Sequence, residues 1–264
     1  MLESIRLYFK LINISFRSQI QHRASFIMLT SAYFISTFTD IFGIWVLFDR
    51  FKIIQGWTLE ELALIYGIMH MGFAIAEGAA RGFDSFSLMI KHGDFDRVLL
   101  RPLGSLFQIA SREIQLMRLG RFIQGLVILL WGSQKLQLPL FSMETVIITL
   151  AFIGTTSLFY GLFVVQATLS FWTTETLEIM NITTYGGLEA GQYPMSIFNK
   201  IFKGFFTFII PLACVAYYPL AILLQHKALP LWLGILFPLS GIVFLYLACQ
   251  LWKIGVRRYH STGS

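Results

Sequence analysis

Residues able to do chemistry are sparse in this chain, and their spacing says which chemistries are missing. The five histidines, His22, His70, His92, His226 and His260, are scattered without metal-ligand spacing. Neither His-Glu-x-x-His nor Gly-x-Ser-x-Gly occurs. There is also no Gly-x-x-x-x-Gly-Lys-Ser/Thr loop to cradle a phosphate. Glu175, Glu178 and Glu189 are too few, and too far from any histidine, for an intramembrane lipid-modifying enzyme. Cys214 and Cys249 sit in apolar runs, which indicates neither a disulfide framework nor a metal site. The expectation is a chain that is not an enzyme and holds no cofactor of its own.

Two ionisable residues fall inside apolar runs, where a charge is a functional-site candidate by default. Asp40 lies toward the outer end of a first run and Glu77 toward the inner end of a second. Glu77 and Arg81 are four apart in the favourable acidic-then-basic order, which predicts a pair on one helix surface. Asp40 has no local partner and is within reach of an interface where water could hydrate it. These residues do not build the Asp/Glu/His chain of a proton-driven carrier, so an ion-gradient-driven secondary transporter stands as the alternative reading. Gly78 and Gly82 form a small-xxx-small pair that would let another helix approach closely.

The elements that must position these groups follow from composition. Of 264 residues, 56% are apolar and 13% charged, about half the charge of a soluble domain. Mean hydropathy is +0.69. The expected fold is an all-α integral membrane protein with a single transmembrane domain over 1–264. Six spans are expected at about 24–48, 62–80, 114–132, 144–171, 204–224 and 229–252. The fifth carries Pro211 and Pro219, so it either spans with a kink or enters partway and turns back. With both termini cytoplasmic, sixteen Lys and Arg fall inside and four outside, as the positive-inside rule requires. That bias explains the net charge of +6 without nucleic acid. The segment 172–203, rich in Glu and Gly, is expected to connect two spans near the inner surface.

Residues 1–22 lack the small-residue cleavage site of a signal peptide. Ile5, Tyr8, Phe9, Ile12 and Phe16 recur at helical spacing, with Arg6, Lys10 and Arg17 on the other face. This predicts an interfacial helix lying on the bilayer.

Residues 81–113 form a charged island after the second span. Arg81, Asp84, Lys91, Asp94, Asp96, Arg97 and Arg101 cannot enter hydrocarbon, at roughly 3 kcal/mol each. Within it Phe83, Phe86 and Ile90 share one side of a short helix that Gly93 is placed to end, and Phe95 follows between two aspartates. The aromatics either dock into a partner's cleft or fold back on the end of the bundle.

Gly93-Asp-Phe-Asp-Arg-Val-Leu-Leu-Arg-Pro102, between a second and a third span, resembles the permease subunits of ABC-2-type transporters. It is similar more narrowly to a subgroup of bacterial ABC transport permeases of comparable length. The resemblance implies a permease of the bacterial inner membrane, driven by separate cytoplasmic ABC ATPase subunits that hold the ATP and Mg. Two ATPases and a second permease, identical or related, would complete it. It implies that the loop after span two carries a coupling helix, mapping onto about 83–92, and that the N-terminal helix is an interfacial elbow. The 204–228 region would supply the outer part of span five and a re-entrant hairpin. Alternating access would export a hydrophobic or amphipathic substrate.

Overall fold

The computed structural model describes residues 23–139, 142–173 and 177–261. The amphipathic helix expected from Ile5 to Arg17, with Arg6, Tyr8, Phe9, Lys10, Ile12 and Phe16, lies outside them, as does Glu175. All regular elements among the described residues are helical.

Helix α1 spans Arg23–Phe51. Thr58 then opens α2, Leu59–Ala80, through a capping box: Glu61 Oε2 accepts from the Thr58 backbone N–H at 2.8 Å while the Glu61 N–H donates to Thr58 Oγ1. After α2 come a 3₁₀ turn (Arg81–Phe83) and three short helices, α3 (Phe86–Lys91), α4 (Phe95–Leu99) and α5 (Ser105–Ala110). Gly93 separates α3 from α4 at φ +71°, a conformation that only glycine adopts cheaply. Helix α6 is Leu119–Lys135 and α7 is Met143–Leu169. Helix α8, Leu177–Gly191, leads through a turn to α9, Lys200–Gly204, capped by Asn199. Helix α10, Tyr218–Leu223, precedes α11, Leu231–Arg257.

Four helical stretches among the described residues are long and apolar enough to cross a membrane: Ile27–Phe51, Leu59–Lys91, Met143–Leu169 and Leu231–Arg257. Helix α6 has 17 residues, about 25 Å. The run expected at 204–224 is not one straight span. Lys200–Ile209 and Ala213–Leu223 meet at 83°. Ile210 sits in the extended conformation imposed by Pro211, so the backbone turns there.

Side-chain contacts give the directions. Gly132 of α6 touches Glu60 and Gly125 touches Met71 of α2, so these two run antiparallel. Gly72 meets Thr155 and Asp84, just past α2, meets Gln166, while Gly154 meets Pro238 and Gly255 meets Phe171, so α2, α7 and α11 run parallel. One end of the bundle therefore carries Leu59, Met143 and Leu231, and the other carries Ala80, Leu169 and Arg257. Helix α1 packs by Thr30 against Gly120 and by Ile44 and Phe48 into the core. Between them it stands off, leaving an apolar groove of about 460 Å³ lined by Phe38, Phe42, Trp45, Gln124 and Trp131.

The segment 172–203, expected near one surface, does not stay there: α8 leaves the Arg257 end of the bundle. Helix α8 climbs along α2, with Tyr185 at Glu77 and Gln192 at His70. His70 is ten residues from the end of α2, about 15 Å along the axis, half the thickness of a hydrocarbon core. Ser196 then meets Tyr217, which packs on Trp57 at the Leu59 end. The Asn, Thr and Glu content of α8 hid this path: Thr183 and Thr184 donate back to the Met180 carbonyl and Glu189 accepts from Gln192, while Tyr185 and Gln192 make the contacts to α2.

Candidate functional site

The island 81–113 folds into a compact module at the Arg257 end. Phe83, Phe86 and Phe95 are buried, and Ile90 nearly so. They do not project: of the two outcomes open to these aromatics, they fold back on the end of the bundle, so they are not the docking face of the coupling helix that the resemblance implied. Their partners are distant in sequence. The Phe86 ring lies 4.9 Å from Trp252, 5.1 Å from Phe95 and 5.2 Å from Phe171. Phe95 packs on Tyr259 at 5.0 Å, and Phe83 on Tyr160 at 5.9 Å. These four large apolar groups, brought together from the 3₁₀ turn, α3 and α4, each gain roughly 2 kcal/mol by burial. The nearest hydrocarbon-like surface is the end of α7 and α11.

Polar contacts fix the same docking. Asp84 accepts from Gln166 Nε2 of α7 at 2.9 Å and pairs with Arg81. Trp252 Nε1 donates to Ser105 Oγ at 3.1 Å, and Ser261 Oγ donates to Asp96 at 2.6 Å. Burial first, then the neighbouring Asp96, pushes the Tyr259 hydroxyl above its ordinary range. Within the module Gly82 packs directly on the Ile109 carbonyl, where a Cβ would clash with the backbone oxygen. The pair Gly78 and Gly82 therefore admits the 109–118 backbone, and Gln115 N–H donates to Gly78 O at 3.0 Å. Gly82→Ala is expected to destabilise the chain by about 2–4 kcal/mol, read as a lowered melting midpoint in micelles.

What the module leaves outside is its tip and rim. Leu100 is 86% exposed, and Leu88 and Leu99 are exposed as well. Lys91, Arg97 and Arg101 are exposed, with Arg97 near Asp94 at 3.5 Å.

Glu77 does not pair with Arg81. Helix α2 ends at Ala80 and tightens into the 3₁₀ turn, which swings Arg81 onto Asp84. Glu77 is 1% exposed and takes Arg118 at 3.0 Å and Arg121 at 3.2 Å, with Tyr185 donating to Oε1. The Arg121 guanidinium also sits 5.2 Å over the Phe73 ring. This cluster joins α2, α6 and α8. Farther along α2, His70 Nε2 meets Gln192 Oε1 at 3.0 Å, and Gln192 Nε2 donates to Glu189 at 2.8 Å. Asp40 is half-buried on α1, within electrostatic reach of Arg121.

Sequence reasoning missed Arg118, Arg121 and Tyr185 as partners of Glu77, and Gln166, Phe171, Trp252 and Tyr259 as the seat of the loop. The lone amide of Gln166 in an otherwise apolar run was the one available signal. No group of three or more His, Cys, Asp or Glu among the described residues could hold a metal ion. Residues 34–263 match the family described as ABC-2 family transporter protein. No curated protein and no solved structure matches the chain.

Proposed function

Since the chain belongs to the ABC-2 family of transporter proteins, a multi-pass membrane component that works with an ATPase subunit, we propose that it forms half of an export path for a hydrophobic or amphipathic substrate. ATP and Mg bind in two separate cytoplasmic ATPases, and these engage the loop 81–113. One observation carries the reading: the loop is a folded module, wired by its interior rings to α7 and α11, with an apolar tip at Leu100 left uncovered. Force applied at that tip reaches four helices at once, α2 and α6 through the chain and α7 and α11 through packing.

Parity supports six crossings. Helix α7 ends at the Arg257 end and α11 starts at the other, so the chain between them crosses an odd number of times. The bent pair 200–223 begins and ends on the Leu231 side, as a re-entrant hairpin does, and α8 is then the fifth crossing. Helix α1 begins, and α11 ends, at the Arg257 end, which faces the cytoplasm in this reading, and the membrane is the bacterial inner membrane. A second permease covers α8: Asn181, Ile182 and Glu189 are exposed on it, and lipid cannot satisfy the polar two. The apolar groove beside α1 suits an amphipathic cargo. An ion-gradient carrier is the weaker reading, because Glu77 is already bound by two guanidiniums.

The test is Leu88→Asp with Leu100→Asp in the chain expressed with its neighbouring ATPase. Both side chains are exposed, so the fold is retained. Co-purified ATPase is expected to fall about tenfold or more, the effect of losing two anchor contacts. Undiminished association and substrate-stimulated hydrolysis would remove the tip from the coupling path.

A further inference from the structure

We infer that the groove formed by α3, α4, α5 and the segment after α5 is a binding site for the headgroup of an acidic phospholipid. The groove has a volume of about 490 Å³. Met89, Val98 and Phe107 make an apolar wall, and Arg97, Arg101 and Arg112 line it with three guanidiniums against the single carboxylate of Asp94. Arg97 is near Asp94, whereas Arg101 and Arg112 make no ion pair among the described residues. The site therefore keeps an uncompensated positive charge.

The turn that carries Arg101 is built rather than loose. Gln108 Nε2 donates to Val98 O at 2.9 Å and to Leu103 O at 2.8 Å, closing the backbone across it. Gln108 Oε1 is buried without a hydrogen-bond partner among the described residues. Depth matches a headgroup. Ser105, at the start of α5, holds Trp252, and α11 begins at Leu231. The rise from Leu231 to Trp252 is about 32 Å at 1.5 Å per residue, against about 30 Å of hydrocarbon. The groove thus opens where one leaflet's phosphates lie. A phosphodiester can take paired N–H donors from a guanidinium, and the glycerol and first methylenes can lie on the apolar wall. Basic pockets at this level select anionic lipids by the same physics. The groove adjoins the Leu88 and Leu100 tip through Met89 and Arg101, but neither tip residue lines it, so the inference stands whether or not an ATPase docks at the tip.

The test uses the full-length chain in micelles, titrated with phosphatidylglycerol or phosphatidylcholine and followed by native mass spectrometry. Phosphatidylglycerol is expected to bind more tightly. Arg101→Gln with Arg112→Gln should weaken it about thirtyfold, while Lys227→Gln at the opposite end leaves it unchanged. Both arginines are exposed, and an unchanged melting midpoint confirms that the double variant folds. Equal affinity for the two lipids overturns the inference, as does full binding by the double variant. Displacement by glycerol phosphate at the lipid's own concentration would also overturn it, by showing a free-phosphate site. If the double variant keeps its lipid and loses co-purified ATPase, the groove is a protein docking surface and the inference fails.

Discussion

Glu77→Ala is expected to cost about 3–5 kcal/mol of stability, the penalty for stripping the partner from a buried ion cluster. Two guanidiniums face Glu77, Arg118 from the turn just before α6 at 3.0 Å and Arg121 from α6 at 3.2 Å, and the carboxylate is 1% exposed. Without it, Arg118 and Arg121 are like charges held together away from water. Tyr185 also loses its acceptor, so α8 loosens from α2. Thermal unfolding in micelles should show a large drop, and Glu77→Gln a partial one, because the amide still accepts from Tyr185. Glu77→Met combined with Arg118→Met and Arg121→Met should recover much of the loss, since well-packed apolar groups replace a buried ion cluster at little cost. If stability returns and transport does not, the charges serve movement between states as well as folding. If Glu77→Ala melts like the parent, the cluster is not the joint described here.

Phe86→Ala should cost about 3–5 kcal/mol and, unlike the first change, uncouple the loop from the bundle. Phe86 touches Phe95, Phe171 and Trp252 at once. Its removal opens a cavity where the module, α7 and α11 meet. The expected signature is an ATPase that still binds but hydrolyses ATP without response to substrate, measured on the purified complex. Phe86→Leu should retain most of the coupling, because it fills much of the same volume. A variant whose binding fails while coupling per bound ATPase is normal would place Phe86 on the outer surface, against its 0% exposure.

The long apolar runs were legible because a bilayer imposes a composition on anything that crosses it. Helices α1, α2, α7 and α11 fall close to their expected bounds for that reason. Helix α8 was hidden by the same rule. Hydropathy measures composition, and cannot see that Tyr185 finds Glu77 or that Gln192 finds His70. Within the island, spacing picked out Phe83, Phe86 and Ile90, all of them buried, although Phe83 lies on the 3₁₀ turn and not on α3, and it put the stop at Gly93. Periodicity says which residues share a face, however, and not what covers it. The covering surface came from Phe171, Trp252 and Tyr259, whose aromatic character near a span end equally suits an interfacial belt. The Glu77–Arg81 pairing failed because it assumed that α2 continues for another turn, whereas the helix tightens at Ala80.

An ATPase is held, in this account, by the exposed tip and not by the buried rings. The most direct measurement places a photo-cross-linking amino acid at Leu100 in one preparation and at Phe86 in another, each co-expressed with the ATPase. Leu100 should yield a cross-link to the ATPase that nucleotide alters, and Phe86 should react only within its own chain. Capture of the ATPase from position 86, with none from position 100, would contradict the account.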